Sequence, residues 1–297
     1  MSRPTRTTAA GRAYLDLQAR ARSERRPTDE LLVLYVLERF LYRLSRSPHR
    51  SRLVLKGGML LAAFEERRPT RDVDLLAREV SNDLETVARL VHDVLLVGAD
   101  DGVEFRPDRL AMDVIRDGDV YPGARVVVPA AVHRARLRLR IDVSVGDPVT
   151  PGVVEVDYPS LLAESFRVVG YPIETVLAEK IVTMVDRGDA TTRERDFADV
   201  VLLARRHEID AVQLSAAIGA TGAHRQSELR PLRQVLVTLG ASRQTDWARF
   251  VDRAGLRTNV PPAYEEAIGL VVDFADPILA GAVVTGTWDP TTRSWRS

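Results

Sequence analysis

The sequence predicts an α+β fold in two domains, a β-rich domain over residues 1–158 and a mostly helical domain over residues 159–297. The chain of 297 residues is long for a single hydrophobic core, so two domains are the default. Residues 103–145 have the pattern of strands, clearest in the segment ARLRLRIDVSV, where polar and apolar side chains alternate. After Pro159 the pattern becomes mostly helical, and this change places the division near residue 158.

The composition excludes several classes of protein. Lys plus Arg and Asp plus Glu both number 42, so the formal net charge is zero and no global positive field attracts nucleic acid or membrane. Any nucleic-acid site must therefore be a local patch. Cysteine is absent, which excludes disulfides and thiolate zinc sites and fits a reducing cytoplasm. No apolar run is long enough to span a bilayer, so we expect a cytoplasmic protein that does not enter the membrane.

The N-terminal part is predicted to contain both helices and strands. The opening residues 1–14 are small and polar, and we expect them to be irregular. Thr28 can cap a helix that runs to about Leu44, and the acidic residues Asp29 and Glu30 occupy the first turn of that helix. The next predicted elements are a strand at 53–56, a helix near 58–66, a strand at 72–76 and an amphipathic helix from Asn82 to about Leu96.

Residues 53–76 carry the strongest functional signal. Side chains alternate between the two faces of a strand, so Asp72 and Asp74 point the same way. Two carboxylates on one face repel each other, and a divalent cation that prefers oxygen ligands, such as Mg²⁺, relieves that repulsion. The paired glycines Gly57 and Gly58 precede a helix and leave backbone N–H groups open to a phosphate. A phosphate site beside a metal site is typical of phosphoryl or nucleotidyl transfer.

A further acid lies on the strand with the clearest alternation. Asp142 shares its face with four arginines, which are Arg134, Arg136, Arg138 and Arg140. One interpretation is a solvated strand face with local ion pairs. The other makes Asp142 the third carboxylate of a metal site and the arginines a rim that attracts phosphates. The Asp-x-Asp strand nearby favours the second interpretation.

The C-terminal part is predicted to be helical. The segment IETVLAEKIVTMVDR, after Pro172, brings Lys180, Thr183 and Arg187 near one helix face, and Gly188 ends the helix. A second helix is expected near 194–206. Further helices are predicted near 209–219, 226–239, 243–255 and 262–274, followed by an irregular tail.

Lysine usage draws attention to two positions. Among the 42 basic residues only Lys56 and Lys180 are lysines. Arginine serves well at most surface positions, so the remaining lysines are candidates for sites that need a compact ammonium group. The alternative is that the two lysines have been retained by chance, and Lys56 can equally be a solvated residue at a strand end.

Three segments together resemble the AbiEii/AbiGii toxin family, which includes the MenT-type toxins and belongs to the DNA polymerase β-like nucleotidyltransferase superfamily. The first is LVLKGGMLLAAFEERRPTRDVDL, which resembles the family's Gly-Gly/Ser turn followed by Asp-x-Asp. The second, YPIETVLAEKIVTMVDR, resembles its lysine-bearing helix, and the third, RERDFADV, its Arg-x-[Lys/Arg]-Asp-x-x-Asp segment. Their order and separation over residues 53–200 make the match specific.

The resemblance implies a role for each matching residue. The backbone at Gly57 and Gly58 would receive triphosphate oxygens, Asp72 and Asp74 would hold Mg²⁺, and Asp142 would hold a second metal or take a proton. The resemblance also makes Lys180 a triphosphate ligand and Asp196 a downstream catalytic acid. The remaining residues that we assign to nucleotide binding are Lys56, Thr70, Arg187 and Arg193.

Some of these positions have simpler explanations. Glu179 and Lys180 can line an exposed helix face, and Arg193, Arg195 and Asp196 can form a charge cluster at a helix start. The turn has Gly58 where the family has serine, so a hydroxyl contact is missing, and either Thr70 or Thr183 is a candidate to supply it.

The resemblance implies a toxin of a toxin–antitoxin system. Its activity would be Mg²⁺-dependent transfer of NMP from an NTP to an acceptor hydroxyl, the 3′ end of tRNA, which would block translation. The implied partners are the NTP, the RNA and an antitoxin from an adjacent gene, and we expect a monomer. The alternatives are a nucleotidyltransferase for a small molecule or a protein hydroxyl, and a GTP-binding module without transferase activity.

Overall fold

The structure is a computed structural model that describes residues 3–80, 84–115 and 123–296. The chain divides into two compact units, of which the first comprises Met1–Gly146 and Val154–Gly170. The second comprises Asp147–Val153 and Tyr171–Ser297. The predicted α+β class is confirmed, because the first unit is built on a mixed sheet and the second is mostly helical.

The helices of the first unit are α1 (Ala9–Glu24), α2 (Thr28–Arg46), α3 (Gly57–Leu60) and α4 (Leu84–Leu95). A turn of 3₁₀-helix, Leu61–Phe64, continues α3. The long helix α2 is buried on most sides and includes the charged residues Glu38, Arg39 and Arg43 within its buried surface. It packs against the central sheet and against α1 and α4, so it forms the core of this unit.

The sheet of the first unit contains eight strands in the part of the chain that the structure describes. They are β1 (Leu53–Lys56), β2 (Val73–Ala77), β3 (Val103–Phe105), β4 (Ala111–Ile115), β5 (Gly123–Val132), β6 (Ala135–Val145), β7 (Val154–Tyr158) and β8 (Phe166–Gly170). Their order is β3-β5-β6-β2-β1-β8-β7, and β4 also pairs with β5. The pairs β2–β6 and β1–β8 are parallel, while the other pairs are antiparallel.

Alternation along β6 separates the two faces of this sheet. Leu139, Ile141 and Val143 are almost completely buried, and α2 packs against this strand. Asp142 and the arginines that precede it project from the opposite face. The amphipathic pattern of the sequence therefore reports correctly which side of β6 belongs to the core.

Several N-terminal predictions are wrong. The opening segment, expected to be irregular, contributes α1, which the side chain of Thr8 caps by accepting the backbone N–H of Gly11. Thr28 is not the cap of α2, since the helix begins at that residue and Pro27 occupies the capping position without a side-chain bond. The residue expected to open the fourth helix, Asn82, lies outside the described residues.

The strands β7 and β8 were not predicted. The predicted division near residue 158 coincides with the end of β7, which pairs with β8 and extends the first unit's sheet beyond that point. The boundaries between the two compact units lie at residues 146, 154 and 170. The predicted domain boundary takes no account of these two strands, because both are short and flanked by loops.

The second unit is mostly helical. Its helices are α5 (Ile173–Arg187), α6 (Glu194–Arg206), α7 (Ala211–Arg225), α8 (Leu232–Val235), α9 (Leu239–Ser242), α10 (Gln244–Ala254) and α11 (Tyr264–Leu279). The single helix expected near 226–239 is wrong, since Pro231 occupies the N-terminal capping position of the short α8 and α9 begins only at Leu239. Trp247 stacks on Tyr264 with ring centroids 4.8 Å apart, and both residues are fully buried.

The C-terminal tail, expected to be irregular, forms a hairpin. Its strands are β10 (Thr287–Asp289) and β11 (Ser294–Arg296), and β10 also pairs with β9 (Ile209–Asp210). Trp288 and Trp295 pack on Phe274, which anchors the hairpin to α11. Within the described ranges, none of the helices combines the length and apolarity that crossing a membrane requires.

Candidate active site

A row of charged residues crosses the open face of the first unit's sheet. Lys56 pairs with Asp74, Asp74 with Asp142, and Asp142 with Arg125, each as direct cross-strand neighbours. Asp113 continues the row beyond Arg125. Directly paired residues share a face and are about 5 Å apart between neighbouring strands. The fold therefore brings Asp74 and Asp142 side by side from strands that are separated by some 60 residues in the chain.

The turn after β1 is packed against the carboxylate of Asp74. Gly57 has a φ of +66°, a conformation that side chains disfavour. A Cβ atom there would lie 2.6 Å from the Asp74 carboxyl carbon and closer still to Oδ2. Only glycine fits this position, and the close approach fixes the acid relative to the backbone of the turn.

Thr70 lies beside the second glycine of the turn. A Cβ atom on Gly58 would be 3.0 Å from Oγ1 of Thr70 and 3.4 Å from a guanidinium nitrogen of Arg68. The Thr70 hydroxyl also donates a 3.0 Å hydrogen bond to Asp72. A hydroxyl is thus present at the place where the family's serine would project.

The other candidate for that hydroxyl, Thr183, is engaged within the second unit. Its Oγ1 donates to the carbonyl of Glu179 at 2.6 Å and accepts from Arg225 at 2.8 Å. The first contact lies within α5, and the second joins α5 to α7. The geometry therefore favours Thr70 as the substitute.

The carboxylate of Asp142 forms an ion pair with an arginine. Nε and a terminal nitrogen of Arg125 donate to its two carboxylate oxygens at 2.8 Å and 2.6 Å. Such a two-point contact fixes the orientation of the carboxylate. Arg125 was not among the predicted site residues, although the alternating pattern of β5 places it on the same face as the arginines of β6.

The candidate metal ligands that remain on this face are Asp72 and Asp74. Over the described ranges, no group of three or more His, Cys, Asp or Glu side chains is arranged to hold a metal ion. The predicted set of three carboxylates is therefore not assembled there, since Asp142 is paired with Arg125. Mg²⁺ at nucleotide sites is commonly bound by one or two carboxylates together with substrate phosphates. Two carboxylates beside a glycine turn fit that donor set.

A second cluster lies in the second unit, between α5 and α6. Nζ of Lys180 donates to Asp196 at 3.1 Å and to Asp199 at 2.6 Å. The interpretation of Lys180 as part of an exposed helix face is wrong, because its side chain is only 11% exposed and Asp199 is completely buried. Arg193 approaches Asp196 at 3.9 Å, and the exposed Arg187 ends α5.

Asp199 is the second residue that sequence analysis missed. It follows Asp196 by three residues on α6, so both carboxylates face Lys180. The signal was present in the segment RERDFADV, whose second acid matches the last position of the family pattern.

Comparisons with known proteins identify the family and the fold of this chain. The family model described as "Nucleotidyl transferase AbiEii toxin, Type IV TA system" matches residues 39–269. No curated protein matches the chain. The crystal structure of JHP933 from Helicobacter pylori is similar, with a TM-score of 0.52 and 15% identity, and the match covers 86% of this chain and 94% of that one.

A second solved structure has the same fold. It is titled as a "putative nucleotidyltransferase" from H. pylori, with a TM-score of 0.52, 16% identity, and coverage of 85% of this chain and 97% of that one. At such low identities both structures report the fold alone. The family match extends over the glycine turn, the Asp-x-Asp strand and the cluster around Lys180.

Proposed function

The chain belongs to the AbiEii family of nucleotidyltransferase toxins of type IV toxin–antitoxin systems, and we propose that it transfers NMP from an NTP to the 3′-hydroxyl of tRNA in a Mg²⁺-dependent reaction. Blocking the acceptor end in this way would stop translation. An antitoxin encoded by an adjacent gene would restrain the activity.

One observation supports this proposal above the others. The carboxylates of Asp74 and Asp142 are neighbours on one sheet face, and the turn at Gly57 is packed directly against Asp74. The flanking bases Lys56 and Arg125 reduce the repulsion between the two acids, but packing alone does not require two acids side by side. An enzyme that handles a metal-bound triphosphate does need them.

The proposed reaction is an in-line displacement. The oxygen of the acceptor 3′-hydroxyl forms a bond with the α-phosphorus, the bond to the bridging oxygen of the β-phosphate breaks, and pyrophosphate leaves. When bound, Mg²⁺ would stabilise the charge that develops on the attacking and leaving oxygens. The protein's share is to position the reactants and to complement their charge.

Each residue of the first unit has a task in this scheme. Asp72 and Asp74 would hold the ion, and backbone N–H groups at Gly57 and Gly58 would bind phosphate oxygens. The Thr70 hydroxyl would add the contact that serine makes elsewhere in the family. Asp142 would accept the proton of the attacking hydroxyl, which requires it to turn one oxygen away from the Arg125 side chain.

Residues of the second unit enter the proposal through the family resemblance. Lys180 would offset the charge of the triphosphate, and Asp196 would be the downstream acid. Arg187 and Arg193 would contribute to nucleotide binding, as would Lys56, which neighbours Asp74 in the first unit.

The experiment supplies the protein with labelled NTPs, Mg²⁺ and total tRNA. Wild type should label tRNA, and Asp74→Asn should not, although the substitution preserves shape. Asp157→Asn is the matched control, because Asp157 is an exposed acid at the edge strand β7. Equal labelling by wild type and Asp74→Asn would remove Asp74 from the mechanism.

The same assay distinguishes the alternative acceptors. Pyrophosphate release without labelled RNA would point to a small molecule or a protein hydroxyl as acceptor. Nucleotide binding without pyrophosphate release would contradict transferase activity. Melting curves for each variant separate loss of chemistry from loss of fold.

A further inference from the structure

Three exposed arginines extend from the charged row along β6. Arg136, Arg138 and Arg140 occupy alternate positions of the strand, on the same face as Asp142. We call these three residues the arginine ladder. Arg134, which the sequence pattern groups with them, is excluded, because it lies in the turn before β6, where it stacks on Tyr14 and donates a hydrogen bond to its hydroxyl.

The ladder has no counter-charge in the part of the chain that the structure describes. No carboxylate lies within 4.0 Å of any of its three guanidinium groups over residues 3–80, 84–115 and 123–296. The residues directly opposite on β5 are Ala131, Pro129 and Val127, all uncharged. On the other side, β2 pairs only with residues 141–145 of β6. Among the described residues, the three positive charges therefore have no ion-pair partner on this strand face.

The position of the ladder relates it to the proposed site of transfer. Arg140 precedes Asp142 by two residues, which is about 7 Å along a strand, and Arg136 lies about 20 Å from the same acid. A chain whose last hydroxyl reaches Asp142 can extend along the ladder toward Arg136. Arginine is well suited to such a chain, since its planar fork binds phosphate oxygens in pairs.

We propose that the arginine ladder binds successive phosphates in the single-stranded 3′ segment of the RNA acceptor and so guides its terminal hydroxyl to Asp142. This inference rests on the proposed function. The occupant is a nucleic-acid strand rather than an acidic protein surface, because the ladder is regular, linear and continuous with the row that contains the candidate catalytic acids. The overall charge of zero fits a local patch of this kind.

The test measures RNA binding without catalysis. A short 5′-fluorescein-labelled single-stranded oligoribonucleotide with a free 3′-hydroxyl is titrated with protein in EDTA, without NTP, at several salt concentrations. The triple variant Arg136→Gln, Arg138→Gln, Arg140→Gln should bind at least about tenfold more weakly at low salt. The slope of log affinity against log salt should become shallower by about 2, because three phosphate contacts are lost.

The matched control is the triple variant Arg50→Gln, Arg89→Gln, Arg109→Gln. These arginines are also exposed and in the first unit, but they lie outside β6, so RNA affinity and salt slope should stay at wild-type values. Each of the three single ladder variants should weaken RNA binding in part. Together with the melting temperatures, these variants show that a loss of RNA affinity is not caused by misfolding.

The outcomes separate the ladder from the proposed function. If wild type labels tRNA but the ladder variant binds and labels RNA equally well, the ladder inference is overturned while the transfer proposal stands. If wild type labels no RNA but binds the oligonucleotide through the ladder, the ladder is an RNA-binding surface, whereas tRNA is rejected as acceptor and the guiding role is overturned with it. If RNA affinity is unchanged but capture of the adjacent-gene protein is lost, the ladder binds a protein and our inference is wrong.

Discussion

Replacing Gly57 by alanine tests the close contact between the turn and Asp74. Two effects act on the variant. Alanine at a φ of +66° costs about 1–2 kcal/mol of stability, because its Cβ crowds the backbone. The new Cβ also occupies space that the Asp74 carboxylate fills in the wild-type protein.

The size of the second effect follows from the distances. The new Cβ would lie 2.6 Å from the Asp74 carboxyl carbon and closer still to Oδ2, whereas ordinary van der Waals contact begins at 3.4 Å, so the carboxyl group has to move by at least about 1 Å. A displacement of about 1 Å in a positioned group can cost about a hundredfold in rate. That factor corresponds to about 2.7 kcal/mol in the activation free energy.

The assay compares nucleotide transfer and stability in two variants. Gly255→Ala is the control, because Gly255 has a φ of +69° and nothing within 4 Å of the position of a Cβ atom. It carries the backbone strain alone. We expect both variants to lose similar stability in urea denaturation, and only Gly57→Ala to lose about a hundredfold in kcat.

A Gly57→Ala protein that transfers nucleotide at the wild-type rate would refute the reasoning. Such a result would mean that the position of Asp74 relative to the turn does not matter for the reaction. Loss of stability far beyond that of Gly255→Ala, with full activity in the folded fraction, would lead to the same conclusion.

Three further predictions concern ion pairs and buried acids. Arg125→Gln should raise the rate of transfer by up to about fivefold, because a partly exposed pair worth at most about 1 kcal/mol no longer competes with the attacking hydroxyl for Asp142. Asp276→Ala should lower the free energy of unfolding in urea by about 2–3 kcal/mol, since this buried carboxylate accepts the backbone N–H of Leu232. Burial raises the pKa of Glu38 in the folded protein, so this carboxyl group loses its proton at a lower pH in the unfolded chain than in the folded protein. The free energy of unfolding should therefore fall as pH rises from the ordinary glutamate pKa to the raised value, and Glu38→Gln should remove this slope.

Each of these predictions has a control of the same chemical type. Arg167→Gln removes an exposed arginine of β8 from its pair with Glu155 and should leave the rate of transfer unchanged. Asp273→Ala alters an exposed acid of α11 and should cost little stability. Glu104→Gln alters an exposed acid and should keep the wild-type pH slope. An equal response of control and test variant would contradict the corresponding prediction.

The helices of the second unit show how far sequence reasoning reaches. α5 and α6 have the predicted bounds because local signals coincide: Pro172 precedes the first, Gly188 follows it, and apolar residues recur at helical spacing. α1 escaped prediction although its cap, Thr8, and its buried residues at helical spacing were in the sequence. The arginines of this helix give its sequence the polar character of an irregular terminus, although one side of the helix is buried.

Elements that depend on distant partners could not be predicted. β8 joins the sheet by pairing in parallel with β1, at Leu55 and Gly170, and nothing local to either strand announces that contact. In the site, too, local sequence predicts some features and long-range pairing determines the others. Alternation predicts that Asp142 lies on the polar face of β6, but only the register of β2 on β6 places it beside Asp74.

The position of Lys180 combines the two explanations that the sequence left open. A lysine bonded to two acids, one fully buried, is part of the packing of α5 against α6, and removing it would leave two like charges repelling each other in a low-dielectric interior. The same arrangement holds the ammonium group in one place, which a catalytic cation requires. The two acids fix the position of the Lys180 ammonium group, and the ammonium group offsets the charges of the two acids. A structural requirement for Lys180 is therefore compatible with a catalytic role. Asp199, which is completely buried beneath the lysine, belongs to that arrangement as a positioning residue.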